Sequence, residues 1–300
     1  MAVHLLMQIT FLLLLTYELA EAAAPPIAKP NCPSSCGNVT KIPYPFGIGH
    51  GCYMNRTFEI VCNGSDSSRK AFLPSIDMEV LEINMSDPYN NKDNYYYYNN
   101  SYYYEPGLVR VNMPIISSSK CNGSRSGVDM AGSPFYFSSS RNTFISVSCD
   151  NMATMTGIDP MVVIGCKSDC NNESMRDKKC SGFKCCQTAV PYYGIQVLKV
   201  DFKSIEEDKD SGECKHACIA ESNWLDSNKT DPSDYVQYLE YVPVVLVWTA
   251  TNETRGPNSD ADVTSYGADY SYCYHGYEGN PYLPTGCEGK LQIRTALIFV

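Results

Sequence analysis

Fifteen cysteines are the residues most able to do chemistry in this 300-residue sequence. They are Cys32, Cys36, Cys52, Cys62, Cys121, Cys149, Cys166, Cys170, Cys180, Cys185, Cys186, Cys214, Cys218, Cys273 and Cys287. So many thiols suit either metal ligation or cross-linking. Zinc sites favour C-x2-C spacing with histidines close by. Here three pairs share a C-x3-C spacing (Cys32/Cys36, Cys166/Cys170, Cys214/Cys218), and past residue 31 the histidines are His50, His216 and His275. Disulfides formed in an oxidising compartment fit better, and no metal site is expected. An odd count leaves at least one thiol free or bonded to another chain. Cys185 and Cys186 are adjacent, so on a strand they face opposite sides and need different partners. The spacing leaves the pairing itself open.

Asparagine supplies the second chemistry. Asn-x-Ser/Thr sequons begin at Asn38, Asn55, Asn63, Asn84, Asn99, Asn122, Asn172, Asn228 and Asn252. Glycans at such sites are bulky and mark surface that faces water in a secreted protein. Both features require passage through the secretory route. Leu5–Leu15 (LLMQITFLLLL) followed by small residues reads as a secretory signal with cleavage near Ala22 or Ala23. Later apolar runs, Val242–Trp248 and Thr295–Val300, are too short to span a bilayer. No membrane span is therefore expected, and the product is expected to be released.

Catalytic constellations are missing. G-x-S-x-G does not occur; Gly123–Gly127 reads GSRSG, with Arg125 where a nucleophile would stand. There is no H-E-x-x-H, and no kinase lysine or catalytic loop. Gly47–Gly51 (GIGHG) reads as a glycine-rich turn, and Glu206, Glu207 and Asp208 as a solvated acidic face. The expectation is no enzyme and no cofactor. Lys+Arg number 23 against 33 Asp+Glu, a formal charge of −10. Such a chain lacks the cationic field that nucleic acid or anionic lipid needs. With 44% hydrophobic and 19% charged residues, wholesale disorder is excluded as well.

The elements that must carry these residues are mostly strands. Alternation or apolar runs predict strands at Phe58–Cys62, Met78–Ile83, Phe135–Phe137 and Thr143–Cys149, and a buried strand at Met161–Cys166. Residues 87–106, with eight tyrosines among asparagines, read as an exposed low-complexity loop. Lys203–Glu221 reads as a helix with Cys214 and Cys218 on one face. The fold class is mainly β and disulfide-rich: cysteine-rich β modules in tandem, with short helical segments and long loops.

Several stretches together resemble one family. Residues 32–62 (CPSSCGNVTKIPYPFGIGHGCYMNRTFEIVC) are similar to the cysteine-rich galacturonan-binding module of plant wall-associated receptor kinases. GCKSDC (Gly165–Cys170), CCQTAVP (Cys185–Pro191) and YVPVVLVW (Tyr241–Trp248) resemble the second region of those ectodomains, and GYEGNPYLPTGC (Gly276–Cys287) the end of their EGF-like module. With the signal peptide at 1–23 and a Pro/Ala linker at 24–31 read from the residues themselves, the resemblance implies a galacturonan-binding-like domain at 32–150 and an associated cysteine-rich domain at 151–249. It further implies a degenerate EGF-like remnant at 250–287 and an unrelated tail at 288–300. Ser271 stands where a complete EGF-like ending would have a cysteine, which leaves Cys273 and Cys287 to pair with each other or stay partly free.

By this resemblance the chain is an extracellular, non-catalytic pectin-binding protein of the cell wall, receptor-like or a soluble decoy. The candidate aromatic platform is Tyr44, Phe46 and Tyr53, with Pro43 and Pro45 holding Tyr44 in an extended segment. The candidate cations for galacturonate are Lys41, Arg56, Arg176, Lys178, Lys179 and Lys184. Bridging Ca²⁺ between protein and pectin is the only metal role considered, without a site motif to hold it. The alternative is a protein-interaction module that binds a peptide or a membrane receptor ectodomain, through a free cysteine or an exposed strand.

Overall fold

The computed structural model describes residues 25–65, 68–86, 95–98, 101–104, 106–122, 124–158, 162–171, 180–191, 194–205, 213–227, 231–251, 255–264 and 269–290. Outside them lie the expected signal peptide, Arg176, Lys178, Lys179, the acidic residues 206–208, the tail from 291, and the sequons at Asn99, Asn172, Asn228 and Asn252.

The largest sheet has six strands in the order β1 (Val61–Asn63), β2 (Lys70–Leu73), β3 (Met78–Asn84), β6 (Gly107–Pro114), β16 (Tyr241–Trp248), β9 (Phe135–Phe137). Residues alternate across a strand, so one face collects the apolar ones. Ala71, Leu73, Met78, Val80, Val109, Val111, Met113, Val242, Val244, Leu246 and Trp248 are all buried. The segment before β1 covers this face. Phe46 and Phe58 meet edge to face at 5.1 Å, and Phe46 meets Trp248 at 5.3 Å. Cys32–Cys52 and Cys36–Cys62 tie that segment down. Within it a Cβ on Gly47 would stand 2.2 Å from the Cys52 carbonyl oxygen, so only glycine allows the backbones to close there.

A second sheet runs β13 (Cys185–Ala189), β10 (Asn142–Val147), β15 (His216–Glu221), β7 (Ile116–Ser117). A third runs β12 (Val162–Ser168), β11 (Asn151–Ile158), β14 (Val197–Lys203), β8 (Gly127–Asp129). Three hairpins complete the strands: β4 (Tyr95–Tyr98) with β5 (Ser101–Tyr104), β17 (Ser259–Val263) with β18 (Asp269–Cys273), and β19 (Tyr277–Gly279) with β20 (Cys287–Gly289). The α-helices among the described residues are short: α1 (Ser222–Ser227) and α2 (Pro232–Tyr235), the latter capped by Asp231. None is long and apolar enough to cross a membrane. The fold is mainly β and disulfide-rich, as the sequence indicates.

Several elements differ from the sequence reading. The expected helix Lys203–Glu221 is strand at both described ends, β14 and β15. Ala217, Cys218, Ile219 and Ala220 are all buried, because β15 lies between β10 and β7 and packs on β16. A strand covered on both faces shows no alternation and is easily mistaken for a helix. The expected buried strand at Met161–Cys166 is β12, an edge strand with Val163 60% exposed. The Tyr/Asn run holds the hairpin β4–β5, with Tyr95 opposite Tyr104. Arg56–Phe58 is a 3-10 turn, and the strand expected from Phe58 starts at Val61. Residues expected as a linker are anchored: the Ile27 carbonyl accepts from the Tyr44 N–H and from Asn280 Nδ2. Around Tyr44 the chain turns rather than extends, with a cis Tyr44–Pro45 bond and the Phe46 N–H donating to the Pro43 carbonyl.

The remaining disulfides are Cys121–Cys214, Cys149–Cys170, Cys166–Cys186, Cys180–Cys185 and Cys273–Cys287. Cys185 and Cys186 thus take different partners, and none of the C-x3-C pairs bonds internally. Cys218 is the free cysteine among the described residues. It is buried in β15, which closes the expected route to another chain through an unpaired thiol. Sheets one and two both draw strands from either side of residue 150.

Candidate functional site

The six-stranded sheet has a second face, opposite the core. Leu108, Arg110 and Asn112 alternate with the core valines of β6 and stand on this face. Over part of it β15 packs against β16, and the Arg110 Nε donates to Glu221 Oε2 at 2.7 Å. The rest is open, forming a groove of about 360 Å³. The register lays its floor across the strands: Asn63 opposite Lys70, Phe72 opposite Glu79, Glu79 opposite Asn112, Pro114 opposite Tyr241. Asp77, in the β2–β3 turn, and Arg125 complete the lining.

The groove mixes charge with aromatic surface. Lys70 Nζ lies 2.9 Å from Glu79 Oε2, which also accepts from Asn112 Nδ2 at 3.1 Å. Lys70 is two-thirds exposed, so this ion pair adds little stability, and its ammonium keeps two donors for a ligand. Arg125 is exposed on a loop pinned at both sides, where its carbonyl accepts from the Ser117 N–H and that of Ser126 from the Val200 N–H. Its guanidinium has no partner among the described residues. Tyr241, 55% exposed, and half-buried Phe72 offer ring faces to the C–H surface of a sugar. Two cations, two amides and two aromatic rings, all on strands except Arg125, can hold an acidic, hydroxyl-rich chain.

The residues nominated from the sequence are scattered. Phe46 is 1% exposed and belongs to the core, so it is no platform. Tyr44 is half-buried, its ring covered by Lys29 Nζ at 4.6 Å, and burial raises its phenol pKa. Tyr53 is half-buried, and Lys41 and Arg56 are exposed. None of these five lines the groove. Lys184 lies against Phe183 and lines a separate polar cavity of about 540 Å³ with Ser233, Asp234 and Tyr238. Of the sequon asparagines, Asn38, Asn55, Asn63, Asn84 and Asn122 are described and all are exposed; Asn63 alone among them lines the groove. The sequence reading missed Lys70, Phe72, Asp77, Glu79, Asn112, Arg125 and Tyr241. Strand parity holds the signal: if Ala71, Leu73, Met78 and Val80 are core, Lys70, Phe72 and Glu79 share the other face.

Two clusters could be considered for metals, Cys121/Cys214/His216 and Cys180/Cys185/Asp231. In each the cysteines are bonded to one another, which removes the thiolates a soft metal binds. His216 sits 3.1 Å from Cys214 Sγ and 3.2 Å from Ser117 Oγ, and burial lowers its pKa.

Of the strands that floor the groove, β1, β2 and β3 lie within one family match and β16 within another. The family described as "Wall-associated receptor kinase galacturonan-binding" matches residues 32–90, and "Wall-associated kinase" matches residues 177–255. The sequence is that of a wall-associated-kinase-ectodomain-like protein. Wall-associated receptor kinase-like 6 of Arabidopsis thaliana is 30% identical over 299 residues, covering 86% of this chain and 44% of the relative. Wall-associated receptor kinase-like 4 is 33% identical over 322 residues, covering 92% and 39%. Wall-associated receptor kinase-like 10 is 29% identical over 335 residues, covering 93% and 40%. This ectodomain-like chain therefore spans about two fifths of the length of the curated relatives it matches. No solved structure matches it.

Proposed function

We propose that the chain binds galacturonan, the polygalacturonate of pectin, in the groove across β1, β2, β3, β6 and β16. The observation that carries this reading is a coincidence of two findings. The segment matching the galacturonan-binding family, residues 32–90, supplies Asn63, Lys70, Phe72, Asp77 and Glu79 to the groove. Lys70 and Arg125 pair with uronate carboxylates, Asn112 and Asn63 serve ring hydroxyls, and Tyr241 and Phe72 pack on the sugar faces. Protein and polymer are both acidic, so attraction is confined to these two cations. Binding therefore weakens as salt rises. Arg125, missed as a ligand residue because GSRSG was read only as a failed nucleophile motif, becomes the main free cation.

The role is recognition in the cell wall rather than turnover, as the ligand-reading part of a receptor-like protein or as a soluble decoy. Of the two groove carboxylates, Glu79 is engaged by Lys70 and Asn112, an arrangement suited to holding Lys70 in place. The test is retention of the glycosylated protein on immobilised polygalacturonate at low and high salt, with Lys70→Ala and Arg125→Ala beside it. Salt-sensitive retention reduced by both variants supports the reading. No retention, or retention indifferent to both variants, overturns it. Release of new reducing ends from the polymer would overturn the non-catalytic part.

A further inference from the structure

We infer that Asn63 carries an N-linked glycan that gates this groove. The inference rests on the galacturonan reading and adds a control to it. Asn63 ends β1, starts the sequon Asn63-Gly64-Ser65, and is exposed. It is also part of the groove wall, directly opposite Lys70. Facing residues on antiparallel strands have Cβ atoms only about 5 Å apart. A sugar on Asn63 Nδ2 therefore roots beside the Lys70 ammonium.

The acceptor is presented for modification. Its side-chain amide has no hydrogen-bond partner among the described residues, whereas Asn84 Nδ2 donates to Glu82 and Asn55 Oδ1 accepts from the Thr57 N–H. Gly64 follows at φ +100°, a conformation open to glycine that swings the chain away from the strand end. Ser65 thus stands on a surface turn that an oligosaccharyltransferase can reach. An attached glycan is bulky and uncharged at its root. It offers its own hydroxyls to Lys70, Asn112 and the aromatic faces in place of an incoming uronate. The occupied form is masked, and the unoccupied or trimmed form binds.

The experiment uses the full chain from a secretory host that glycosylates. Glycopeptide mapping measures occupancy at Asn63. Affinity for defined oligogalacturonates is compared for the wild type, Ser65→Ala and Thr40→Ala, which removes the sequon at Asn38, a residue outside the groove lining. A wild-type sample trimmed enzymatically to a single sugar supplies a folding-independent arm. The expected results are an occupied Asn63, binding tightened about tenfold in Ser65→Ala and in the trimmed sample, and no change in Thr40→Ala. An unmodified Asn63, or equal affinity of the occupied and sequon-free forms, overturns the gate while leaving the groove assignment standing. Failure of the sequon-free protein to bind any oligogalacturonate overturns the groove itself.

Discussion

At the scale of single residues, the motif that best identifies the chain is mostly structural. Phe46, in the IPYPFGIG stretch, touches Phe58, Phe135 and Trp248 with its ring. Phe46→Ala should cost about 3–5 kcal/mol, the range for emptying a buried aromatic site, read as a drop in the denaturant midpoint. Lys70→Ala should shift that midpoint by less than about 0.5 kcal/mol, because an exposed ion pair contributes little. The free thiol gives a second test. Burial pushes the Cys218 pKa up from 9.0 to about 12. Below pH 9 the thiol is neutral folded and unfolded, and its contribution to stability is complete. Between pH 9 and about 12 only the unfolded chain ionises there, so stability falls by up to about 1.4 kcal/mol per pH unit. Tyr44, Tyr136 and Tyr282 are raised by burial too and act in the same direction. Cys218→Ala should therefore flatten the alkaline loss in part. A thiol reagent should find no reactive group at Cys218 in the native protein and one after denaturation; modification of Cys218 without denaturant would contradict the burial.

At the scale of elements, sheets one and two are joined by polar side chains, the Arg110–Glu221 pair and, buried, Asn142. Asn142, 3% exposed on β10, donates through Nδ2 to the carbonyls of Ser138 and Val245, both at 2.7 Å, and accepts the Val245 N–H at 2.9 Å. Asn142→Ala removes all three and strands the Val245 N–H, which should lower stability by about 2–4 kcal/mol. Asn142→Asp keeps the acceptor but turns a buried carboxylate oxygen toward the two carbonyls, and should cost at least as much as Asn142→Ala. Hydrogen exchange at Val245 is the direct readout. This junction shows what sequence can and cannot reveal about elements. Strands covered on one face, such as β3, announce themselves by alternation. Strands covered on both, such as β15, do not, and Lys203–Glu221, with Cys214 and Cys218 at i,i+4, reads as helix. Adjacent Cys185 and Cys186 dictated separate partners through strand parity alone. Which of the fifteen cysteines stays reduced was illegible, because only the position of β15 between β10, β7 and β16 decides it.

At the scale of the whole molecule, the candidate groove gathers residues from 63 to 241, and no local motif could have revealed it. The segment 32–90 supplies Asn63, Lys70, Phe72, Asp77 and Glu79 to its lining and the segment 177–255 supplies Tyr241, while Asn112, Pro114 and Arg125 come from between the two matches. The same long-range order bears on division of the chain at residue 150. Strand β16 lies between β6 and β9 in the six-stranded sheet, and its Trp248 fills the centre of the aromatic core. A fragment of residues 25–150 would leave the facing edges of β6 and β9 unpaired and Phe46 and Phe58 without their indole. It should therefore fail to unfold cooperatively, whereas residues 25–290 should show one sharp transition. If instead the shorter fragment folds cooperatively and retains polygalacturonate binding, β16 is dispensable and the groove is confined to β1, β2, β3 and β6. Tyr241→Ala in the longer chain then separates the outcomes, because a groove that includes β16 loses affinity with that change at unaltered stability, the ring being more than half exposed.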